Sequence, residues 1–201
     1  MPFPTWMYRF SSNERMIIDW ILKPLVESYD IVKKDKTAIN NSENEITEKL
    51  VWNLKNNTQI SFLYQKRSID VILRPKEQVK IDEKYEPDIK FILGTRIWLH
   101  VETKRIYKNG NWSTSEYVSK EDGIGRFLSG KYSRNDKESG MLGYIQGGNF
   151  SSIIQDLKSR IDSIDCESSG EITEVNNCYL STHRRQENSS IRIYHLFLHF
   201  S

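Results

Sequence analysis

The stretch from Glu86 to Arg105 constrains the fold of this chain more than any other part of it. Two short apolar runs, Ile89 to Leu93 and Ile97 to Val101, flank Gly94-Thr95-Arg96, the pattern of a β-hairpin with a three-residue loop. With that loop Leu93 faces Ile97, and Asp88 falls opposite Glu102. Side chains alternate along a strand, so Ile89, Phe91, Leu93, Ile97, Leu99 and Val101 share an apolar face. Asp88, Glu102 and Lys104 then share the other face, with Trp98 and His100. Opposed Cβ atoms lie about 5 Å apart, and two carboxylates so close repel unless a positive group lies between them. A divalent cation with oxygen ligands is the usual answer. A two-residue loop at Gly94-Thr95 would put Asp88 and Glu102 on opposite faces, so the register decides whether the pair exists.

Upstream, Ser11-Ser12-Asn13-Glu14 starts a helix, and Met16, Ile17, Ile21, Leu22, Leu25 and Tyr29 follow near helical spacing. Pro24 is expected to kink or break it. This helix is expected at the periphery, over a sheet edge or against a second subunit, with an exposed loop at 33–44 after it. Ser42-x-x-Glu45 forms a capping-box pattern before the stripe Ile46, Leu50, Val51 and Leu54, which predicts a second helix over 43–56. Gln59 to Gln65 and Ser68 to Arg74 alternate like strands, and 75–86 reads as a charged connection.

Beyond the hairpin, 107–120 is polar with a turn at Asn109-Gly110, and 121–130 is a short helix weakened by Gly123 and Gly125. A strand over 141–146 and a helix over 151–164 follow, the helix marked by Ile153, Ile154, Leu157, Ile161 and Ile164. Strands at 178–182 and 191–200 close the chain. Such an order implies a mixed α/β (α+β) sheet with helices on its faces. One domain spans the 201 residues, with a helix and loop over 1–40, a core over 43–146 and a C-terminal helix and strands over 149–201.

A net charge of +2, with 28% charged residues, neither argues for nucleic acid nor excludes it. No apolar run is long enough to cross a membrane, and Met1-Pro-Phe-Pro lacks the basic region and apolar core of a signal peptide. Cys166 and Cys178 have no metal-ligand spacing, so reduced thiols and a cytoplasmic location are expected.

Pro87-Asp88, thirteen further residues and then Glu102-Thr103-Lys104, with an acidic helix upstream, resembles the PD-(D/E)XK nuclease superfamily. The resemblance covers about 45–146 and implies a restriction-endonuclease-like αβββαβ core that hydrolyses phosphodiester bonds with Mg2+, for which Mn2+ is an expected substitute. It implies that Asp88, Glu102 and the Thr103 carbonyl hold the metal. Lys104 would orient and deprotonate the attacking water or offset phosphate charge, and Glu45, or Glu48 in another helix phase, would be the helical acid. The chemistry agrees, since Mg2+ keeps several waters and needs few protein ligands. DNA is the expected partner, with RNA and a role in bacterial defence or DNA processing left open, and no membrane partner. Without a visible target-recognition domain, sequence choice would come from inserted loops, a homodimer or a partner protein. The alternatives are an inactive nucleic-acid-binding module of the same fold and a non-enzymatic subunit of a larger complex. The bland structural explanation is a surface hairpin with an ordinary salt bridge from Lys104.

Other motifs compete less well. Acid-x-Lys also occurs at Asp82, Asp88 and Asp156, but only Glu102-Thr103-Lys104 lies at the end of an apolar-faced strand with an acid opposite it. Gly125 to Tyr132 imitates a phosphate-binding P-loop, but Tyr132 stands where Ser or Thr would hold magnesium. Arg126, Lys131, Tyr132 and Arg134 instead suit a grip on a nucleic-acid backbone, or simply a solvated loop. His183-Arg184-Arg185 is a second basic segment, and His195 and His199, on a strand, lack the third ligand of a zinc site.

Overall fold

Ser12 accepts the Arg15 N–H and caps α1 (Asn13–Ile17), which runs through a π-helical turn (Ile18–Leu22) into α2 (Lys23–Val32). The π turn is the physical answer to Pro24, which has no N–H to give the preceding turn. In the computed structural model, residues 12–66, 68–74, 77–80, 83–85, 87–95, 97–109, 111–132, 135–185 and 189–201 are described. α3 (Glu43–Asn56) begins at the expected capping box on Ser42. Gln59 to Gln65, expected to be extended, holds a short helix α4 (Ser61–Gln65). Ile60, Leu63 and Tyr64 face the same apolar cluster, and that spacing belongs to a helix.

The main sheet takes β1 (Ile69–Leu73), β4 (Ile89–Leu93), β5 (Ile97–Ile106), β8 (Glu138–Gln146), β9 (Cys166–Glu171), β10 (Cys178–Arg184) and β11 (Ser190–Phe200). Their spatial order is β1-β4-β5-β8-β11-β10-β9. The first three form an antiparallel meander; β5 and β11 both lie parallel to β8, and β10 and β9 complete the far edge antiparallel. Between β1 and β4, part of the expected connection forms a small ribbon of β2 (Glu77–Lys80) and β3 (Glu83–Tyr85). A second ribbon pairs β6 (Lys108–Asn109) with β7 (Asn111–Trp112). It leads into α5 (Thr114–Tyr117) and α6 (Gly125–Leu128), and α7 (Phe150–Asp162) joins β8 to β9. The sequence carries no strand signal for β9, since Cys-Glu-Ser-Ser-Gly-Glu has no apolar alternation and pairs through its backbone at an edge.

Each face of the sheet carries its own apolar cluster. On one side Met16, Ile17, Ile21 and Leu25 from the first helices and Ile46, Leu50 and Leu54 from α3 pack on Phe91, Leu99, Val101 and Tyr144. The N-terminal helix is therefore part of the core, contrary to the expected periphery: Ile17, Ile21 and Leu25 have no exposure. On the other side Tyr117, Ile124, Phe127, Leu157 and Ile161 pack on Ile106, Met141, Ile145, Ile193 and Phe197. Among the described residues no helix is long and apolar enough to cross a membrane.

Candidate active site

β4 and β5 pair in the register of the three-residue loop: Leu93 faces Ile97, Phe91 faces Leu99 and Ile89 faces Val101. Gly94 supplies the left-handed turn residue with φ of 57°, a conformation glycine adopts without steric cost. Asp88 directly precedes Ile89, so the register carries it to Glu102. The apolar face lies on the helical cluster of α1 to α3, which leaves Asp88, Lys90, Trp98, His100, Glu102 and Lys104 for the other side.

Asp88 turns its carboxylate to the β5 backbone. Oδ2 accepts the Thr103 N–H at 2.7 Å and the Thr103 hydroxyl at 2.9 Å. In an extended strand the N–H and C=O of one residue point to the same edge, so the Thr103 carbonyl also faces the Asp88 side. The Thr103 side chain is buried beneath α3, with the Thr47 hydroxyl 3.5 Å away and Thr47 bonded in turn to the Tyr144 hydroxyl at 2.9 Å.

Glu102 is buried, at 2% exposure. Its Oε1 accepts from Lys104 Nζ at 2.9 Å and from Arg126 Nη1 at 2.8 Å, while Oε2 is buried and has no hydrogen-bond partner among the described residues. Burial, and after it the charge of Asp88, pushes the Glu102 carboxyl up to about 7 against the pull of the two cations. For Lys104, burial works against the charge, but Glu102, Glu43 and Asp88 outweigh it and raise its pKa, so it stays an ammonium at neutral pH.

The acid that reaches the site from α3 is Glu43, not Glu45. Glu43 Oε2 accepts the Arg105 N–H at 2.6 Å. Burial raises the Glu43 pKa, Lys104 and the Arg105 N–H oppose that, and Asp88 adds to it. Glu45 instead closes the capping box, accepting the Ser42 N–H at 2.7 Å and the Ser42 hydroxyl at 2.8 Å. Glu48 pairs with Arg74 at 3.2 Å. The signal for Glu43 was present: Glu43, Ile46, Thr47 and Leu50 share the helix face that lies on the sheet, whereas Glu45, Glu48 and the exposed Trp52 lie round the helix from it.

In the loop expected to grip a nucleic-acid backbone, Arg126, Lys131 and Tyr132 all have partners within the protein. Arg126 donates to Glu102, to the Tyr132 hydroxyl at 2.7 Å, to Asp122 at 2.8 Å and to the Glu121 carbonyl at 2.7 Å. Tyr132 is buried against Phe127 and Lys131 pairs with Glu121 at 2.9 Å, while Arg134 lies outside the described residues. Gly123 and Gly125 make this turn possible. A Cβ on Gly125 would sit 2.3 Å from the Lys120 Cα, and one on Gly123 2.1 Å from the Tyr117 carbonyl oxygen. The residues that weaken a helix in sequence are those that let the chain fold close enough to aim Arg126 at Glu102.

The histidines do not gather round a metal. His100 Nδ1 lies 2.9 Å from Asp136, and His199 stacks on Phe150. His195 and His183 share the Ser181 hydroxyl, each Nε2 at 2.7 Å from it. Among the described residues no three His, Cys, Asp or Glu side chains form a ready metal cage. Two carboxylates and a carbonyl fall below that count, and a hard cation that keeps its waters needs no more. The buried, unpartnered Oε2 of Glu102 is the atom that fits such an ion.

No protein-family model matches the chain, and no curated protein and no solved structure matches it either.

Proposed function

We propose that this chain is a metal-dependent nuclease with a restriction-endonuclease-like core, hydrolysing phosphodiester bonds in DNA. The observation that carries this reading is the convergence of Asp88, Glu102, Lys104 and Glu43 at one end of the β4–β5 hairpin. The order of elements adds support: α3, the meander β1-β4-β5, a helical crossover and β8 parallel to β5 follow the plan the sequence resemblance implies.

Asp88, Glu102 and the Thr103 carbonyl would hold Mg2+ or Mn2+. A bound ion of this kind makes water more acidic and offsets charge on the phosphate. Lys104 is kept charged by three carboxylates, so its part is to donate hydrogen bonds to the phosphate or the water and not to accept a proton. Glu43 ties α3 to the strand one residue past Lys104 and so positions it. Arg126 compensates the buried Glu102.

A second reading rests on Arg126. With Arg126 and Lys104 both on Glu102 Oε1, that carboxylate is already charge-balanced, as in a fold that keeps nucleic-acid affinity without cutting. Plasmid DNA incubated with the protein and Mg2+ or Mn2+ separates the two. The nuclease reading expects nicked or linear product that disappears with EDTA and with Asp88→Ala. A shift of intact plasmid with either metal supports the second reading, and neither cutting nor binding sinks both.

A further inference from the structure

Trp98 is the large apolar side chain that neither cluster absorbs on the site's own strand. It is 54% exposed, near the hairpin end of β5, where β5 pairs with β4 and the pairing with β8 has not yet begun. Alternation puts it on the same face as Glu102, four residues away or about 13 Å along β5. The Lys90 ammonium lies over its ring, 4.7 Å from the centroid, and Lys90 stands between Trp98 and Asp88 in the strand register. The residue also helps to line an open cleft of about 430 Å³, with Asn13, Thr95, Asn135 and Lys137. The acids of that cleft are already engaged: Asp136 holds His100, and Glu138 pairs with Arg192 at 3.5 Å.

A flat aromatic surface with a cation beside it, in line with a phosphodiester site, matches one ligand chemistry well. An unpaired base stacks on such a ring, and positive charge close by favours the strand's backbone. A base inside a duplex cannot present its face in that way, because both faces are already stacked. We propose that Trp98 is the stacking platform of a nucleobase subsite, and that the nucleic acid crossing Asp88 and Glu102 is single-stranded or locally unpaired there. The inference rests on the nuclease reading for the path of the strand, but the subsite is a matter of binding and does not need catalysis.

The test measures binding of labelled oligonucleotides by fluorescence anisotropy in EDTA, where nothing is cut. Three probes are compared: a single strand, the same strand with abasic sites, and its duplex. Wild type should bind the single strand more tightly than the abasic strand or the duplex. Trp98→Ala should weaken single-strand binding roughly tenfold or more, leave the abasic strand unchanged, and be partly rescued in Trp98→Phe. Because the side chain is largely exposed, the variants should melt like wild type. If Trp98→Ala binds the single strand like wild type, or loses as much on the abasic strand, the subsite is wrong. A duplex preference or no binding at all overturns it too. Cleavage of plasmid with no dependence on Trp98 would leave the nuclease reading standing while removing this one; Trp98-dependent binding with no cleavage would do the reverse.

Discussion

Glu43 Oε2 accepts the backbone N–H of Arg105 at 2.6 Å, and this bond ties the first turn of α3 to β5 one residue beyond Lys104. Glu45, two residues along, spends its carboxylate on Ser42. The two glutamates should therefore separate in experiment. Glu43→Gln should lower cleavage tenfold or more, because the charge near Lys104 and Asp88 changes while the shape is kept. Glu45→Ala should leave cleavage intact but cost about 1 kcal/mol of stability through loss of the capping box, read as a drop of a few degrees in Tm. Cleavage lost in Glu45→Ala and kept in Glu43→Gln would reverse the assignment.

Lys104 and Asp88 make a sharper pair. Asp88→Ala and Lys104→Ala should each abolish plasmid cleavage while folding and nucleic-acid binding largely survive. Circular dichroism and a gel-shift assay run beside the cleavage assay make the distinction. Either variant cutting at the wild-type rate would mean that the site lies elsewhere.

Gly125 has no room for a side chain, with the Lys120 backbone 2.3 Å from where a Cβ would stand. Gly125→Ala should cost about 2 kcal/mol and displace the turn that carries Arg126. Thermal melting measures the first effect. The second appears as a larger loss of cleavage than the stability change alone accounts for. An unchanged Tm would contradict the close packing of this turn.

Tyr117, His195, Ser181 and His183 form a buried chain whose direction follows from its end. The Ile164 carbonyl only accepts, so His183 Nδ1–H donates to it at 2.6 Å and His183 Nε2 accepts from the Ser181 hydroxyl. His195 Nε2–H then donates to Ser181, and its Nδ1 accepts from the Tyr117 hydroxyl at 3.1 Å. Both rings must stay neutral, and burial depresses both pKa values, that of fully buried His195 strongly. The unfolded chain therefore takes up these protons first as the pH falls. This stability is complete above the ordinary histidine value of about 6.5 and is lost as the pH drops through it toward the depressed native values. The Glu102 carboxyl, raised to about 7, titrates in the same window with the opposite sign, so the test is made in Glu102→Gln: its urea unfolding should show lower stability at pH 5.5 than at 7.5. Ser181→Ala orphans two ring nitrogens and should cost about 3 kcal/mol at pH 7.5.

Local patterns in the sequence were enough for the hairpin register, α3 from its capping box, the stripe of α7 and the strands at β8, β10 and β11. Each writes its periodicity or its caps into neighbouring residues, and those interactions act over a few positions. With them came the opposition of Asp88 and Glu102 and the placing of Lys104 on the same face. Other features depend on residues far apart. The first helix became core because the sheet face it covers is assembled from several strands, and β9 formed because β10 offered it a backbone edge. Glu43 displaced Glu45 because α3 packs through one face, and only the packed helix shows which acid that face carries. That Arg126 reaches a buried carboxylate follows from the turn through Gly123 and Gly125, which the local pattern around Arg126 does not show. Sequence determined where the acid pair stands; the packing of distant segments decided which charges surround it, since burial and Coulomb forces depend on distance in space and not along the chain.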